Sequence, residues 1–327
     1  MRLARWRNGN QEQEGLVVGD RLVVLPDGTG VLDVVRLGLD AALELGERLA
    51  AHVPEDAPGV RSVQLLAPLH PPSVRDFVAF EEHLEGVVRS VDHADGPPPE
   101  WYEAPTFYFT NPHSLIGSGE PVVPPATERL DFELEVGAVL GAGGASLTPQ
   151  QGQDAIFGYT VFNDWSARDV QSREMQVRLG PCKGKDFATT LGPWITTADE
   201  VADRVDADGF LDLEMTVAVN GVEIGRDSLA DMGWPFGELV AYASRNARVL
   251  PGDVLGSGTA GSGCLAELWG RAGGLVPPPL QPGDEVTMTV ERLGTITNTV
   301  GRAQAVPHIP RARKRPGSPA ARARAAS

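Results

Sequence analysis

The sequence predicts an α+β chain that is predominantly β. Three observations carry this. Apolar and polar residues alternate over many short runs. Turn-forming pairs stand between such runs, above all Asn220-Gly221. The regular strand–helix–strand alternation of a doubly wound sheet is missing. A length of 327 residues suits about two domains. The expected division is a small N-terminal β-rich domain at 1–66, a main domain at 67–305 and a basic, disordered tail at 306–327.

Residues 15–35 read as short strands broken at the turn signal "PDG". "GLDAALELGERLAAHV" reads as an amphipathic helix, and "VPEDAPGV" as a linker. In "PPSVRDFVAFEEHLEG", Ser73 stands where an N-cap belongs, and Phe77, Phe80 and Leu84 recur as a helical stripe. That reading puts Asp76 at a helix start with His83 two turns on. "TFYFT" is an aromatic strand and "DFELEVGAVL" a central one. "GYTVFNDWSARDVQSREM" begins as a strand and turns helical near Asn163–Asp164. The hairpin around Asn220-Gly221, a helix–turn–strand from Glu238 and a last hairpin in "DEVTMTVERLGTITNTV" complete the pass.

Net charge is −16 and the pI about 4.8, which disfavours nucleic acid as a partner. From Arg311 onward the chain carries six Lys/Arg and no acid. The remainder holds 22 basic against 44 acidic residues, a net of −22. Such a tail is most simply a solvated charge run. No apolar run approaches the ~20 residues of a membrane span, so no membrane partner is expected. The start lacks a signal-peptide apolar core, so a cytoplasmic protein is expected. Cys182 and Cys264 form neither a disulfide framework nor a zinc-spacing motif.

"DFELEVGAVL" sets Asp131, Glu133 and Glu135 on one strand face, with Phe132, Leu134, Val136, Ala138 and Leu140 on the other. Aligned acids face either water or a cation. Taken alone, such a strand is more often a solvated face. With Asp164 and Asp76, four carboxylates make an all-oxygen ligand set, which suits Mg²⁺, Mn²⁺ or Ca²⁺. Asp164, Arg168 and Gln171 fall at i, i+4, i+7. Either they are an N-cap with a helical ion pair, or they join a ligand to groups that grip an anion.

Five stretches, "RDFVAFEEH", "DFELEVGAVLG", "GYTVFNDWSARDVQ", "GKDFATTLGPW" and "GSGTAGSGCLAELW", follow in this order over about residues 67–300. Together they resemble the fumarylacetoacetate hydrolase family. The resemblance implies a mixed β-sandwich/roll for the main domain, a homodimer and a small keto acid as substrate. Asp76, Glu133, Glu135 and Asp164 match metal ligands, with Mg²⁺ the expected cofactor. His83 matches a general base and Glu267 the acid that orients it. Arg168, Gln171 and Lys185 match groups around the substrate and its oxyanion. Thr259 matches a substrate carboxylate contact, and Thr189 lies near the metal. Val78 and Met175 stand near where family tyrosines contact substrate, which implies a different distal pocket. The implied reaction is hydrolysis of a C–C bond in a β-diketo acid. Decarboxylation, isomerisation or dehydration of a 2-keto acid through an enolate is the alternative, and a keto-acid-binding paralogue without catalysis the third reading.

Overall fold

The structure is a computed structural model and describes residues 1–91 and 96–313. The part of the basic tail beyond residue 313 lies outside the described residues. The chain is α+β and predominantly β.

At the N-terminus, β1 (Arg2–Asn8), β2 (Gln11–Val18) and β3 (Arg21–Val24) form an antiparallel meander. The apolar run after "PDG" is a helix, α1 (Val31–Arg36), and not the strand expected there. Its Val31, Val34 and Val35 are buried at i, i+3, i+4, a period that six residues show too briefly to read in advance. Then come the amphipathic α2 (Leu39–Ala50) and β4 (Gln64–Leu66), which pairs with β1.

The next stretch departs further from expectation. Val74–Phe77 is a strand, β5, and Ser73 caps nothing; the helix α3 begins only at Glu81 and runs to Val91. All four β5 residues are buried, so no alternation could betray a strand. Asp76 therefore stands on a strand, and His83 on the helix that follows. β6 (Phe107–Thr110) pairs antiparallel with β5 and sets Tyr108 opposite Asp76.

After β7 (Leu115–Ile116) the acidic stretch divides into β8 (Leu130–Asp131) and β9 (Leu134–Leu140). Side chains cause the break. Phe132 N–H donates to Asp131 Oδ1 at 2.8 Å and Glu133 N–H to Asn163 Oδ1 at 3.0 Å, which diverts both donors from the ladder. α4 (Pro149–Asp154) leads into β10 (Ile156–Asp164), then β11 (Ser166–Ala167) and α5 (Arg168–Met175). Asp164 thus ends a strand and is no N-cap; the expected stripe Asp164–Arg168–Gln171 straddles two elements. β12 (Thr189–Thr197), the hairpin β13 (Glu214–Val219) and β14 (Val222–Ser228), α6 (Phe236–Ala243), β15 (Val254–Gly256), α7 (Leu265–Ala272), β16 (Glu285–Val290) and β17 (Gly294–Thr299) complete the chain. Asn220 and Gly221 both have positive φ, as the tight turn requires.

The main sheet runs β3-β2-β1-β12-β10-β9-β15-β5-β6, with β4 added at β1 and β7 at β12. Residues 1–66 thus share hydrogen bonds with the rest through the β1–β12 pair. A four-stranded sheet, β14-β13-β16-β17, packs on one face: Leu134, Val136 and Ala138 of β9 join Met215, Val217 and Met288 in one core. Val139 and Val254 share a second core with α1 on the other face. Every residue of β9 is buried, and Asp131 and Glu133 before it are buried too, so the acids do not face water.

Candidate metal centre and active site

Three strands of the main sheet, and the break before one of them, deliver the carboxylates. Asp76 comes from β5, Glu133 from the break before β9, Glu135 from β9 and Asp164 from the end of β10. All are buried. Oxygens of Asp76, Glu133 and Glu135 lie within 4.8 Å of one another. Asp164 joins them through Tyr108, whose hydroxyl donates to Asp76 Oδ2 at 2.9 Å and, in a closer contact, to Asp164 Oδ2. Gly256 on β15 makes the room: a Cβ there would meet Asp76 Oδ1 at 2.6 Å and Glu135 Oε2 at 3.1 Å.

The cluster is unevenly charged. Burial, opposed by the nearby Lys185, pushes the Asp164 carboxyl up to about 7, and Glu133 and Asp76 add to the rise. Burial raises Asp76 as well, and lifts Glu135 well above the carboxylate range, with Asp76 and Glu133 reinforcing it. Glu133 goes the other way. Burial alone would raise it, yet Lys185 and Arg168 outweigh that and hold it well below the usual range. Lys185 Nζ bridges Glu133 and Asp164, the latter at 2.8 Å, and Arg168 Nη1 reaches Glu133 Oε1 at 2.8 Å.

A divalent cation fits this donor set on what the structure itself shows. Asp76 Oδ1, Glu135 Oε2, Asp164 Oδ1 and Thr189 Oγ1 are buried without a hydrogen-bond partner. Unpaired buried oxygens are costly, and those of Asp76 and Glu135 meet over Gly256, the usual sign of a ligand. The donors are hard oxygens throughout, as Mg²⁺, Mn²⁺ and Ca²⁺ prefer.

Beside the cluster stands a second group. His83 Nδ1 and Glu267 Oε1 are 2.8 Å apart, both buried. Glu267 Oε2 accepts from Ser262 N–H at 2.8 Å and Arg271 Nη2 at 3.1 Å. Arg271 also pairs with Glu82 at 2.6 Å and so ties α3 to α7. The helices touch closely: a Cβ on Gly86 would sit 2.9 Å from Glu267 Cγ. The chain just before α7 hydrogen-bonds to the strand between Glu133 and Glu135: Leu134 N–H donates to Gly263 O at 3.0 Å and Ala260 N–H to Leu134 O at 2.9 Å.

Residues 73–301 match the family model described as fumarylacetoacetate (FAA) hydrolase C-terminal. The chain belongs to the fumarylacetoacetate hydrolase family. It is similar to a fumarylacetoacetase from Arabidopsis thaliana, 29% identical over 283 residues, which cover 69% of this chain and 66% of that protein, just under two thirds of its length. It is also similar to an oxaloacetate tautomerase from Bacillus subtilis, 28% identical over 242 residues, 73% of each chain. Its fold matches that of maleylpyruvate hydrolase from Sphingobium sp. SYK-6 in complex with manganese(II) and pyruvate. There the TM-score is 0.65 and the identity 24%, with 93% of this chain and 100% of that chain covered.

Around the carboxylates, Thr259 Oγ1 lies 3.4 Å from Glu135 Oε1, and Thr189 sits opposite Asp164 in the β10–β12 ladder. Gln171 Oε1 accepts from Arg168 Nη1 at 3.2 Å. Arg168 itself is turned inward: Nε donates to Asp131 Oδ2 at 2.8 Å while Nη1 holds Glu133. Arg168 makes no ion pair with Asp164, against the helical-pair reading. Asp131 is removed from the cation cluster. Its oxygens take Leu265 N–H at 2.7 Å and Ala266 N–H at 3.0 Å, and so cap α7, the helix that carries Glu267. Sequence reasoning missed Tyr108, the capping role of Asp131, Arg271 and the approach of Cys264. For Tyr108 the only trace was its alternate position in "TFYFT". A cavity of about 310 Å³ lined by Glu103, Trp234, Tyr242 and Arg245 includes none of these residues.

Proposed function

We propose that the chain is a divalent-metal-dependent hydrolase that cleaves a C–C bond in a β-diketo acid of the acylpyruvate or fumarylacetoacetate type. One observation carries the reading: a cradle of unpartnered buried carboxylate oxygens lies beside a buried, carboxylate-bound histidine. Asp76, Glu133, Glu135 and Asp164 would hold the cation, Mg²⁺ first and Mn²⁺ or Ca²⁺ next. It would supply polarisation of the keto oxygens and stabilisation of the leaving enolate.

The rest falls to the side chains. Glu267 fixes the imidazole through Nδ1, which leaves Nε2 of His83 to take a proton from water. The water oxygen bonds to the carbonyl carbon. The C–C bond then breaks, its electron pair stays with the enolate fragment, and the proton returns to that carbon. Lys185 has three N–H donors. Two are committed to Glu133 and Asp164, and the third serves the oxyanion together with the Gln171 amide. Arg168 fixes Glu133 and Gln171, and Thr259 offers its hydroxyl to a substrate carboxylate.

A second reading is tautomerisation, isomerisation, decarboxylation or dehydration of a 2-keto acid through the same enolate. The similarity to an oxaloacetate tautomerase favours it. Incubation with acylpyruvates, oxaloacetate and 2-keto-3-deoxy acids, with Mg²⁺ or Mn²⁺ and scored by product mass, separates the two. Acid fragments from an acylpyruvate support hydrolysis. Conversion of oxaloacetate alone supports the second reading, and binding without turnover a paralogue that has lost catalysis. The proposal includes a homodimer. Exposed Met175, Val177 and Leu179 beside α5 are apolar surface for a second copy, and a monomer by light scattering at micromolar concentration rejects it.

A further inference from the structure

Neither cysteine lies in a zinc-spacing motif, yet folding gives Cys264 two further donors. It is the N-cap residue of α7, buried, with Sγ 3.7 Å from His83 Nδ1 and 3.8 Å from Glu267 Oε1. His83 and Cys264 are 181 residues apart in sequence. With the 2.8 Å contact between His83 and Glu267, the three atoms form one compact triangle. Zinc at about 2.3 Å from sulfur and 2.0–2.1 Å from nitrogen or oxygen sets tetrahedral ligands roughly 3.3–3.6 Å apart. Both edges to sulfur already come close to that. The nitrogen–oxygen edge has to open by about half an ångström, exchanging one hydrogen bond for two metal bonds.

The surroundings suit a ligand. Ser262 N–H and Arg271 hold Glu267 Oε2, so Oε1 is the oxygen presented to the triangle. The donor set is nitrogen, sulfur and oxygen, while the neighbouring cluster is all oxygen. Mg²⁺ and Ca²⁺ avoid thiolate and zinc seeks it, so the two places sort cations by softness.

We propose that His83, Cys264 and Glu267 form a second cation site, for zinc or another thiophilic divalent ion, and that filling it stops the chemistry at His83. On binding, the thiol loses its proton to solvent, the imidazole proton moves from Nδ1 to Nε2 through solvent, and the cation takes Sγ, Nδ1 and Oε1, with water completing the tetrahedron. A neutral imidazole bound through Nδ1 carries its one proton on Nε2. It can then accept none from the attacking water. The site itself stands on geometry alone; its inhibitory effect rests on the reading of His83 as the base.

The test uses the full chain with saturating Mg²⁺ and a reductant that neither chelates nor carries a thiol. Cobalt(II) is titrated in and the thiolate-to-cobalt charge-transfer absorption followed. The expected band saturates at one ion per chain, is erased by zinc, persists in Cys182→Ser and is absent from Cys264→Ser and Cys264→Ala. Zinc affinity should fall by about 10²-fold or more in both Cys264 variants. No band, or a band that follows Cys182, overturns the site. Zinc that produces the site but leaves turnover unchanged overturns the inhibitory effect. A His83→Ala protein that still hydrolyses rejects the base reading without touching the cobalt result.

Discussion

Asp76, Glu135 and Asp164 each keep a buried oxygen with no hydrogen-bond partner, whereas both oxygens of Glu267, a few residues away in space, are engaged. The first group hangs on strands of the main sheet and repels itself. Lys185 and Arg168 neutralise Glu133 but leave Asp76 and Glu135 raised. The second group spans two helices and is complete, with Arg271, Ser262 and His83 around one carboxylate. A region whose oxygens are satisfied by protein groups holds its geometry whether or not a ligand arrives. A region whose oxygens are not is positioned for something the fold lacks. The contrast assigns different jobs to carboxylates that composition cannot tell apart.

The largest effect should come from the unsatisfied side. Glu135→Gln keeps shape and removes charge, so calorimetric titration of Mn²⁺ should show binding abolished, and chelator should abolish turnover of the wild type. Retained Mn²⁺ affinity in this variant would move the cation off β9. Because the substitution also relieves repulsion between buried acids, the metal-free variant should melt above metal-free wild type.

On the satisfied side, His83→Ala should lower hydrolysis by about 10²–10⁴-fold, the usual worth of a positioned base. Mn²⁺ binding should persist. Steady-state kinetics and calorimetry on one preparation check both halves, and near-normal hydrolysis means that some other group activates the water.

Asp131→Asn probes the seam between the regions. Asp131 caps α7 and pairs with Arg168, so its loss leaves a buried guanidinium with one carboxylate fewer, at a cost of roughly 3 kcal/mol in denaturant unfolding. Metal affinity should stay within a few-fold of wild type. A collapse of Mn²⁺ binding would show that Asp131 belongs with the ligands.

The smallest effect is on pH dependence. In chelated protein, Asp164 holds its proton up to about 7 against an ordinary 3.8, and Asp76 and Glu135 are raised as well. Stability from such groups is complete below the ordinary value and drains as pH rises through the folded one. Glu133, held low, stays ionised across that window. Chelated protein should therefore melt lower at pH 8 than at pH 5, and the gap to metal-loaded protein should widen with pH. Equal gaps at both pH values would place the shared protons elsewhere.

Much of this was legible in the chain. Alternation and turn pairs determined the predominantly β class and the two late hairpins, because those signals are local. The five stretches picked out the four acids, His83, Glu267 and Lys185 by identity and order. Position was another matter. Val74–Phe77 resembled a helix start because a strand buried on both faces shows no period. "DFELEVGAVL" looked continuous because nothing local reveals that Asn163 and Asp131 capture two of its N–H groups. Tyr108 between Asp76 and Asp164, Asp131 on the end of α7, and Cys264 against His83 are contacts between residues 32 to 181 positions apart. Sequence chose the chemical types, since side-chain chemistry is local. Only the packed sheets and helices decided which donors were left unpaired, because satisfaction of a buried polar atom depends on every element that closes around it.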